Sequence, residues 1–318
     1  MNLGFSRSNY LPGILAGTVA VATIVISQPV MAKSAKDIAK VAYSTTVQVN
    51  NPLTPNEGGS GVIIAKKGQI YTVLTANHVV TNPNTEYIIR TAKNKEYKVT
   101  DIKGFQNNES GPDLAVVMFE SEDEYSVATI SNSDEADIGS GVYISGYPLA
   151  VAGSKEKERE YAFTNGLVSN VRSSNEKGYT MRYNAVTRRG MSGGPVFDVS
   201  GRVIGIHGEG ESGGLATVKV KDDGTSQESG QSGQSGEAKE GQEEVKTGLN
   251  YAIPINTFVG MMSQVGMEKS ALKVDNKPPE NVDAETVKES DVDNWAADFG
   301  KEILKDVIRG GLRRLLPF

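Results

Sequence analysis

The chain has 318 residues, of which 38% are hydrophobic and 23% are charged, so it is long enough for two compact globular units. Its 33 basic and 39 acidic residues give a net charge of −6, which offers no electrostatic support for a nucleic-acid-binding protein. The absence of cysteine excludes disulfides, thiolate metal sites and cysteine nucleophiles, and it fits a bacterial exported protein.

Residues 1–32 have the pattern of a secretory signal peptide. Arg7 provides a positive start, residues 11–26 form an uncharged apolar run, and Ala32 ends a stretch with small residues at the −3 and −1 positions. The apolar run is nearly long enough to span a bilayer, so an uncleaved membrane anchor is the alternative. Gln28-Pro29 ahead of the small residues favours cleavage after Ala32 and a periplasmic or extracellular location.

Short β-branched runs separated by Asn, Gly and Pro predict an all-β structure after a short helical pattern that begins at residue 36. The first group of predicted strands comprises Thr45–Val49, Gly61–Ala65, Ile70–Thr75, Glu86–Thr91, Glu96–Ile102 and Leu114–Phe119. The second group comprises Val142–Ile144, Tyr161–Val171, Thr180–Tyr183, Pro195–Val199, Arg202–His207, Ala216–Val220 and Asn250–Ile255. Two successive groups predict two barrels or sandwiches, over residues 36–125 and 126–268, with a closing helix at 256–265.

Residues 222–248 interrupt the second group of strands. They consist mostly of Gly, Ser, Gln, Glu and Lys, and the triplet Gln231-Ser232-Gly233 is repeated at once. Such a segment cannot bury enough apolar surface to offset its ordering entropy, so it predicts a disordered insertion. Because it separates two predicted strands, we interpret it as a long loop, whose closure entropy grows slowly with length.

The C-terminal part of the chain has a different character. Residues 269–283 are polar and contain Pro278-Pro279, which predicts a linker. Residues 284–318 carry an apolar stripe with helical spacing and arginines near its end, which predicts an amphipathic helix. The stripe is formed by Trp295, Phe299, Ile303, Val307 and Leu312. Three partners stay open for this helix: the body of the protein, a second copy, or a membrane surface.

Three residues have the order and the setting of a catalytic triad. Ser192 lies in the run GMSGGP, where flanking glycines permit a sharp turn that exposes the hydroxyl. The amides of Gly190 and Ser192 would then point to one spot beside it, as in an oxyanion hole. A serine nucleophile needs a base and a group that orients the base. His78 follows one apolar strand and Asp113 precedes another, and the spacings from His to Asp and from Asp to Ser are 35 and 79 residues.

Five runs together resemble the chymotrypsin-like, or trypsin-fold, serine peptidases of bacterial type, and the resemblance spans residues 40–268. These runs are TANHVV, PDLAVV, GMSGGP, IGIHGEG and NYAIPI. The resemblance implies two six-stranded antiparallel β-barrels with the active site in the cleft between them. It implies that Ser192 attacks the scissile carbonyl, that His78 transfers the proton and that Asp113 orients the imidazole.

The same resemblance implies how a polypeptide substrate binds. The amides of Gly190 and Ser192 would hold the oxyanion. The strand formed by His207, Gly208, Glu209 and Gly210 would pair with the substrate backbone as an added strand. One departure is Met191, at a position where many members of the family carry an Asp that pairs with a freshly cut N-terminus. We therefore expect activity that does not depend on this kind of zymogen cleavage.

Two residues suggest a preference for the substrate residue before the cut. Thr187 lies five positions before Ser192, and His207 lies fifteen positions after it. This spacing resembles the bacterial glutamyl endopeptidases, which implies that a hydroxyl and a histidine bind an acidic P1 side chain. Glu209 and Glu211 lie close by in the sequence and would repel such a substrate, while Arg188 and Arg189 would offset that repulsion.

Two other interpretations compete with an active endopeptidase. One is a catalytically silent or chaperone-like peptide-binding module on the same fold, although an intact triad argues against it. The other is a membrane-attached scaffold that acts through the C-terminal helix. The Deg-type quality-control proteases share the barrel motifs, but the 50 residues after position 268 are too few for the PDZ domain that follows there. The sequence shows no metal-binding or cofactor motif.

Overall fold

The computed structural model describes residues 33–54, 57–82, 85–106, 110–149, 159–172, 174–214, 219–220, 226–227 and 244–278. The predicted signal peptide of residues 1–32 and the predicted helical tail of residues 284–318 lie outside the described residues. Most of the predicted insertion 222–248 also lies outside them. Among the described residues, no helix combines the length and the apolar character needed to cross a membrane.

A short helix and a closed six-stranded barrel form the first half of the structure. In chain order, the elements are α1 (Ala35–Thr45), β1 (Thr46–Asn50), β2 (Gly58–Lys67), β3 (Ile70–Thr75), β4 (Ile88–Arg90), β5 (Glu96–Gly104) and β6 (Ala115–Glu120). The strand order is β1-β2-β3-β6-β5-β4, every pairing is antiparallel, and β1 closes the barrel by pairing with β4. Ser34 caps α1, because its hydroxyl accepts a hydrogen bond from the Asp37 amide.

The second half of the described structure is also a barrel. Its elements are β7 (Thr129–Ile130), β8 (Gly141–Gly146), β9 (Ala162–Val171), β10 (Met181–Asn184), β11 (Pro195–Asp198), β12 (Val203–Gly214), β13 (Lys219–Val220), β14 (Ser226–Gln227), β15 (Glu244–Pro254), α2 (Ile255–Met261) and β16 (Lys273–Val274). The order β11-β8-β9-β10-β15-β12 is closed by the pairing of β11 with β12. β7 pairs in parallel with both β12 and β16, and β13 pairs with β14. The two six-stranded antiparallel barrels confirm the predicted fold class.

The alternation of side chains along β2 and β3 explains why both strands are almost continuously buried. Ile63 and Val73 point into the first barrel, whereas Ile64 and Leu74 belong to a second core that packs against the other barrel. Both faces of these strands are therefore buried, and neither face has to be polar. The second core also takes in Ile38 from α1, so the helix covers the junction between the barrels.

The structure corrects two boundaries expected from the sequence. The predicted linker 269–283 is wrong over its first part, which contains a 3₁₀ turn at Lys269–Ala271 and strand β16, and β16 pairs with β7. This part has one buried leucine, Leu272, and a strand of only two residues. Together they are too few to give a hydrophobic periodicity in the sequence. The predicted insertion 222–248 was also drawn too wide, because it contains β14 and the beginning of β15, which pairs with the extended β12.

Phe258 provides a test of how the closing helix contributes to stability. Its side chain is fully buried in the core between the barrels, and its ring meets the Phe105 ring edge-on at 5.8 Å. Phe258→Ala should lower the free energy of unfolding by about 3–5 kcal/mol, because it removes buried surface and leaves a cavity. Ile138→Ala, at a side chain that is 68% exposed, should change it by less than about 0.5 kcal/mol. Urea unfolding measures both, and equal values for the two variants would contradict the packing described here.

Candidate functional site

His78 and Asp113 are brought together by the ends of two neighbouring strands. His78 lies in the 3₁₀ turn Asn77–Val79 that follows β3, and Asp113 lies just before β6. These two strands pair antiparallel with Thr75 opposite Ala115, so the two residues meet despite their separation in sequence. The His78 Nδ1 atom is 2.6 Å from Asp113 Oδ2, and the His78 amide donates to Asp113 Oδ1 at 2.8 Å. One carboxylate therefore fixes both the ring and the backbone of the histidine.

Tyr179 is a partner of this pair that the sequence did not indicate. Its hydroxyl donates to Asp113 Oδ2 at 2.6 Å, and the Asp113 amide donates to the Lys177 carbonyl at 2.9 Å. The short segment before β10 in the second barrel thus holds a carboxylate that belongs to the first barrel. A Cβ atom on Gly208 would lie 2.0 Å from the Tyr179 hydroxyl, so the glycine leaves the space that the tyrosine fills. No local sequence motif indicates that Tyr179 contacts Asp113.

The Asp113 carboxylate is ionised in this setting. Burial by itself would raise the pKa of Asp113, but the hydrogen bonds from the His78 ring, the Tyr179 hydroxyl and the His78 amide outweigh it and hold the pKa below its ordinary value. The same burial, together with the negative charge on Asp113, raises the pKa of Tyr179, which keeps its proton. Tyr179 is therefore a hydrogen-bond donor to the carboxylate throughout the physiological pH range.

Ser192 lies in the turn that leads into β11. Its hydroxyl donates to the Gly208 carbonyl oxygen at 2.9 Å. The described residues include no hydrogen bond between this hydroxyl and the His78 ring, whose side chain is 44% exposed. In this conformation the serine hydroxyl donates to β12, and a rotation about the Cα–Cβ or the Cβ–Oγ bond would turn its proton elsewhere.

The directions of the Gly190 and Ser192 amides are set by the carbonyls of the residues before them, Arg189 and Met191. The Arg189 carbonyl accepts from Leu149 N at 2.8 Å, and the Met191 carbonyl accepts from Gly194 N at 2.9 Å. A trans peptide points its N–H opposite to its C=O, so the Gly190 and Ser192 amides point away from these two donors. Within the described part of the chain, neither amide donates to a carbonyl. The turn thus presents two N–H groups beside Ser192, as an anion site requires.

This turn needs glycine at position 190. Gly190 has a φ of +97°, in the region that favours glycine, and a Cβ there would lie 2.6 Å from the Leu149 amide nitrogen. Met191, the residue that departs from the family pattern, is buried among apolar side chains of the second barrel. It fills the core beneath the turn, and its side chain takes no part in a charge pair.

The residues predicted to choose the substrate side chain have separate hydrogen-bond partners. The Thr187 hydroxyl donates to the side-chain oxygen of Asn250, whose amide nitrogen donates to the Ala185 carbonyl at 2.7 Å. His207 is only 3% exposed, and its Nδ1 atom lies 2.7 Å from the Tyr183 hydroxyl. Thr187 and Asn250 line a cavity of about 780 Å³, whereas His207 is not among its lining residues.

Four segments of the chain line the cavity. Its wall comprises residues 165–167, 184–187, 210–211 and 248–250. Gly210 therefore reaches it, while Gly208 and Glu209 do not. The residues of the strand that was predicted to pair with substrate are thus divided: Gly208 faces Ser192, and Gly210 begins the wall of the cavity.

The two glutamates near the cavity each have a basic neighbour. Glu211 lies 2.7 Å from Arg182 and accepts a hydrogen bond from the Tyr251 hydroxyl at 2.8 Å. Glu209 lies 3.9 Å from Lys177. Their repulsion of an acidic side chain is therefore smaller than the sequence suggested. The neighbours responsible are Arg182 and Lys177, whereas Arg188 and Arg189, which we expected to offset the glutamates, are exposed.

The fold and this constellation define the protein class, and comparison with known families agrees. Residues 59–206 match the family model described as a trypsin-like peptidase domain. Over this stretch, just under half of the chain, the protein is similar to the trypsin-like serine peptidases, as the resemblance of its motifs predicted.

Individual relatives point to one branch of that family. The protein named "Probable periplasmic serine endoprotease DegP-like" from Hahella chejuensis is 31% identical over 161 residues, which cover 50% of this chain and 31% of that protein. The protein "Serine protease Do-like HtrA" from Lactococcus lactis is 27% identical over 231 residues, 70% of this chain and 48% of that protein. The chain therefore spans less than half the length of these two relatives.

A solved structure supports the fold independently. The serine endoprotease from Yersinia pestis superposes with a TM-score of 0.50 at 20% sequence identity, over 74% of this chain and 67% of that one. At this identity the likeness bears on the fold alone. The relatives named above are of the DegP and HtrA type, so the predicted likeness to glutamyl endopeptidases remains a prediction.

The role of Tyr179 can be tested through pH. Because the pKa of Asp113 is lowered in the folded protein, its ionisation stabilises the fold above its ordinary pKa of 3.8, and this stabilisation is lost as pH falls through the folded pKa. Tyr179→Phe should raise the folded pKa and shrink this pH-dependent stabilisation. The measurement is the free energy of unfolding from about pH 2 to pH 6, each variant compared with its Asp113→Asn counterpart.

The matched control is Tyr183→Phe, which removes a hydroxyl bonded to His207 and leaves the carboxylate untouched. This control should keep the Asp113-dependent change of the wild type. An unchanged pH dependence in Tyr179→Phe would show that the hydroxyl does not act on Asp113.

Proposed function

We propose that this protein is an exported serine endopeptidase that cleaves polypeptides through an acyl-enzyme intermediate, with Ser192 as nucleophile, His78 as general base and Asp113 as the group that orients the base. The observation that carries the proposal is the His78–Asp113 pair, tied to both barrels, beside a serine turn with two amides available for an anion. Export to the periplasm or beyond is supported by the signal-like pattern of residues 1–32 and by the names of DegP-like relatives.

The first step of the proposed reaction is the binding of a substrate strand. β12 continues to Gly214, but β11 pairs with it only as far as Ile206. Among the described residues no strand pairs with the edge beyond His207 on that side, where an extended peptide could be added. A peptide N–H that pairs with the Gly208 carbonyl would compete with the Ser192 hydroxyl for the same oxygen. Substrate binding would then release the hydroxyl to rotate toward His78.

Acylation follows from the positions of these groups. Ser192 Oγ attacks the scissile carbonyl carbon while His78 takes the hydroxyl proton, and Asp113 stabilises the imidazolium that results. The negative charge on the carbonyl oxygen is received by the amides of Gly190 and Ser192. His78 then gives its proton to the leaving amine as the C–N bond breaks. Water, activated by the same histidine, attacks the ester and restores the serine.

The chemistry is tested by the wild-type protein and Ser192→Ala on a mixture of peptides from a digested proteome, with cut sites identified by mass spectrometry. The wild type should cleave, and Ser192→Ala should lose about 10⁶-fold in kcat, as removal of the nucleophile does in other serine peptidases. Cleavage by both proteins would indicate a contaminant. No cleavage by either folded protein would favour the peptide-binding module instead.

We propose further that the enzyme prefers Glu or Asp at P1. Support comes from the Thr187 hydroxyl in the cavity wall and from the pairing of Glu211 with Arg182, whereas His207 is buried against Tyr183 and does not line that wall. A substrate carboxylate would take the Thr187 hydrogen bond that Asn250 now accepts. Hydrogen bonds to charged groups are among the stronger ones, which makes this position suited to discriminate between substrates.

Thr187→Val should reduce kcat/KM for a substrate with Glu at P1 by about 10- to 100-fold, because a hydrogen bond to a charged group contributes about 1.5–3 kcal/mol. The value for the matching Gln or Ala substrate should fall much less. Thr100→Val, at an exposed threonine of β5 in the first barrel, is the control and should leave both values unchanged. Equal losses on all substrates would rule out an acidic pocket, and the peptidase itself would stand.

A further inference from the structure

Arg159 is a partly buried cationic group that the proposed reaction does not use. It lies shortly before β9, and within the described part of the chain all of its hydrogen-bond acceptors are uncharged oxygens. Nη1 donates to Asn50 Oδ1 at 2.9 Å and to the Val49 carbonyl at 3.4 Å. Nη2 donates to the carbonyls of Gly59 and Gly190 at 2.8 Å each, and Nε and Nη2 both reach the Tyr147 carbonyl.

These acceptors come from both halves of the molecule. Val49, Asn50 and Gly59 belong to β1 and β2 of the first barrel, whereas Tyr147 follows β8 of the second barrel. Gly190 belongs to the serine turn itself. One planar guanidinium therefore connects four backbone segments, and a fork of five fixed donors suits this task better than a flexible ammonium group would.

The surroundings of Arg159 show that the position is built for it. The ring of Tyr147 packs against the ring of Tyr161 at 5.5 Å, and Tyr161 packs against Tyr43 at 4.9 Å. Gly58 leaves room for the guanidinium, because a Cβ there would lie 3.1 Å from Nη1. Burial lowers the pKa of Arg159 to about 10, so the group is charged at neutral pH although burial penalises the charge.

The contact with Gly190 bears on the geometry of the serine turn. The Gly190 carbonyl accepts from two groups, Arg159 Nη2 and the Ser60 hydroxyl, both at 2.8 Å. Fixing this carbonyl fixes the plane of the next peptide, and the Arg189 carbonyl held by Leu149 fixes the preceding one. Gly190 has the conformational freedom of glycine, so its amide keeps one direction only if these carbonyls are held.

We propose that Arg159 is a positioning residue for the oxyanion site: it holds the Gly190 carbonyl against the first barrel, and so keeps the Gly190 amide directed at the substrate oxygen. This inference rests on the proposed function. It assigns to Arg159 a contribution to the transition state and none to the binding of the uncut peptide, since the guanidinium contacts the underside of the turn and no residue of the substrate-pairing strand.

The central experiment compares wild type, Arg159→Met and Arg159→Lys in the full chain. Three quantities are measured: kcat/KM for one peptide, the affinity of a peptide boronic acid that forms a tetrahedral adduct with Ser192, and the affinity of the uncut peptide in a Ser192→Ala background. Arg159→Met should lower the first two together by about tenfold to 100-fold and leave the third unchanged. Arg159→Lys should lie between Met and wild type, because it keeps the charge and loses the fork.

Arg202→Met is the matched control for the loss of a buried arginine. Arg202 is 3% exposed, pairs with Asp198 at 2.7 Å and donates to the carbonyls of Asp275 and Lys277, away from the serine turn. Its replacement should lower the midpoint of thermal unfolding and leave kcat/KM unchanged at temperatures where the protein is folded. This control separates the loss of stability expected on removing any such arginine from an effect on kcat/KM that is specific to the serine turn.

Chemical rescue keeps the proposal testable if Arg159→Met is poorly folded. In Arg159→Ala, guanidinium ions at millimolar concentration should restore part of kcat/KM, whereas sodium chloride at the same ionic strength should not. The proposal is overturned if Arg159→Met retains wild-type kcat/KM, or if uncut-peptide affinity falls as much as boronic-acid affinity. It is equally overturned if guanidinium rescues nothing in a folded Arg159→Ala protein. Inactivity of the wild type would instead refute the proposed function.

Discussion

Ser60 is the point on which the geometry of the site depends. Its amide donates to the Ser192 carbonyl at 2.8 Å, its hydroxyl donates to the Gly190 carbonyl at 2.8 Å, and that hydroxyl also accepts from the Tyr147 amide at 2.8 Å. Its own carbonyl accepts from Thr75 Oγ1 at 2.7 Å. A residue with no exposed surface thus satisfies polar groups of both barrels through its backbone and its hydroxyl, and an unpaired group here would be costly.

The close approach of the two barrels at this point explains the glycines that precede Ser60. A Cβ on Gly59 would lie 2.4 Å from Val79 and 2.6 Å from the Ser192 carbonyl. The segment from β2 can therefore contact the serine turn directly, backbone to backbone. The apolar core between the barrels supplies most of the attraction. The hydrogen bonds of Ser60 and Arg159 determine which relative position of the barrels is adopted, since they are satisfied in only one.

Local patterns in the sequence were sufficient for the fold class. They also singled out His78, Asp113 and Ser192, of which the first two lie in direct contact. Strand β3 was predicted to the residue, because it is a short β-branched run with a turn at each end. Tyr179, Arg159 and Ser60 could not be found this way, since their partners lie 66, 31 and 130 positions away and no spacing rule connects them. β7 and β16 were missed for a related reason: strands of two residues have no period to detect.

The residues proposed to set specificity show a different limit of sequence reasoning. The position of Thr187 in a cavity wall was anticipated from its spacing to Ser192, but its partner Asn250 was not. The electrostatic argument was also incomplete, because the net effect of Glu211 depends on Arg182, which lies on a neighbouring strand. A sequence shows which residues are charged, but it does not show which opposite charges are paired in the folded protein.

The hydrogen bonds between the second barrel and Asp113 have a consequence for the chain while it is being synthesised. The carboxylate obtains its Tyr179 and Lys177 contacts only after the second barrel has formed and docked. A nascent chain with one finished barrel holds a histidine and an aspartate but neither the serine turn nor the contacts that fix the pair. In terms of the proposed function, such an intermediate lacks the nucleophile and cannot cleave peptide bonds.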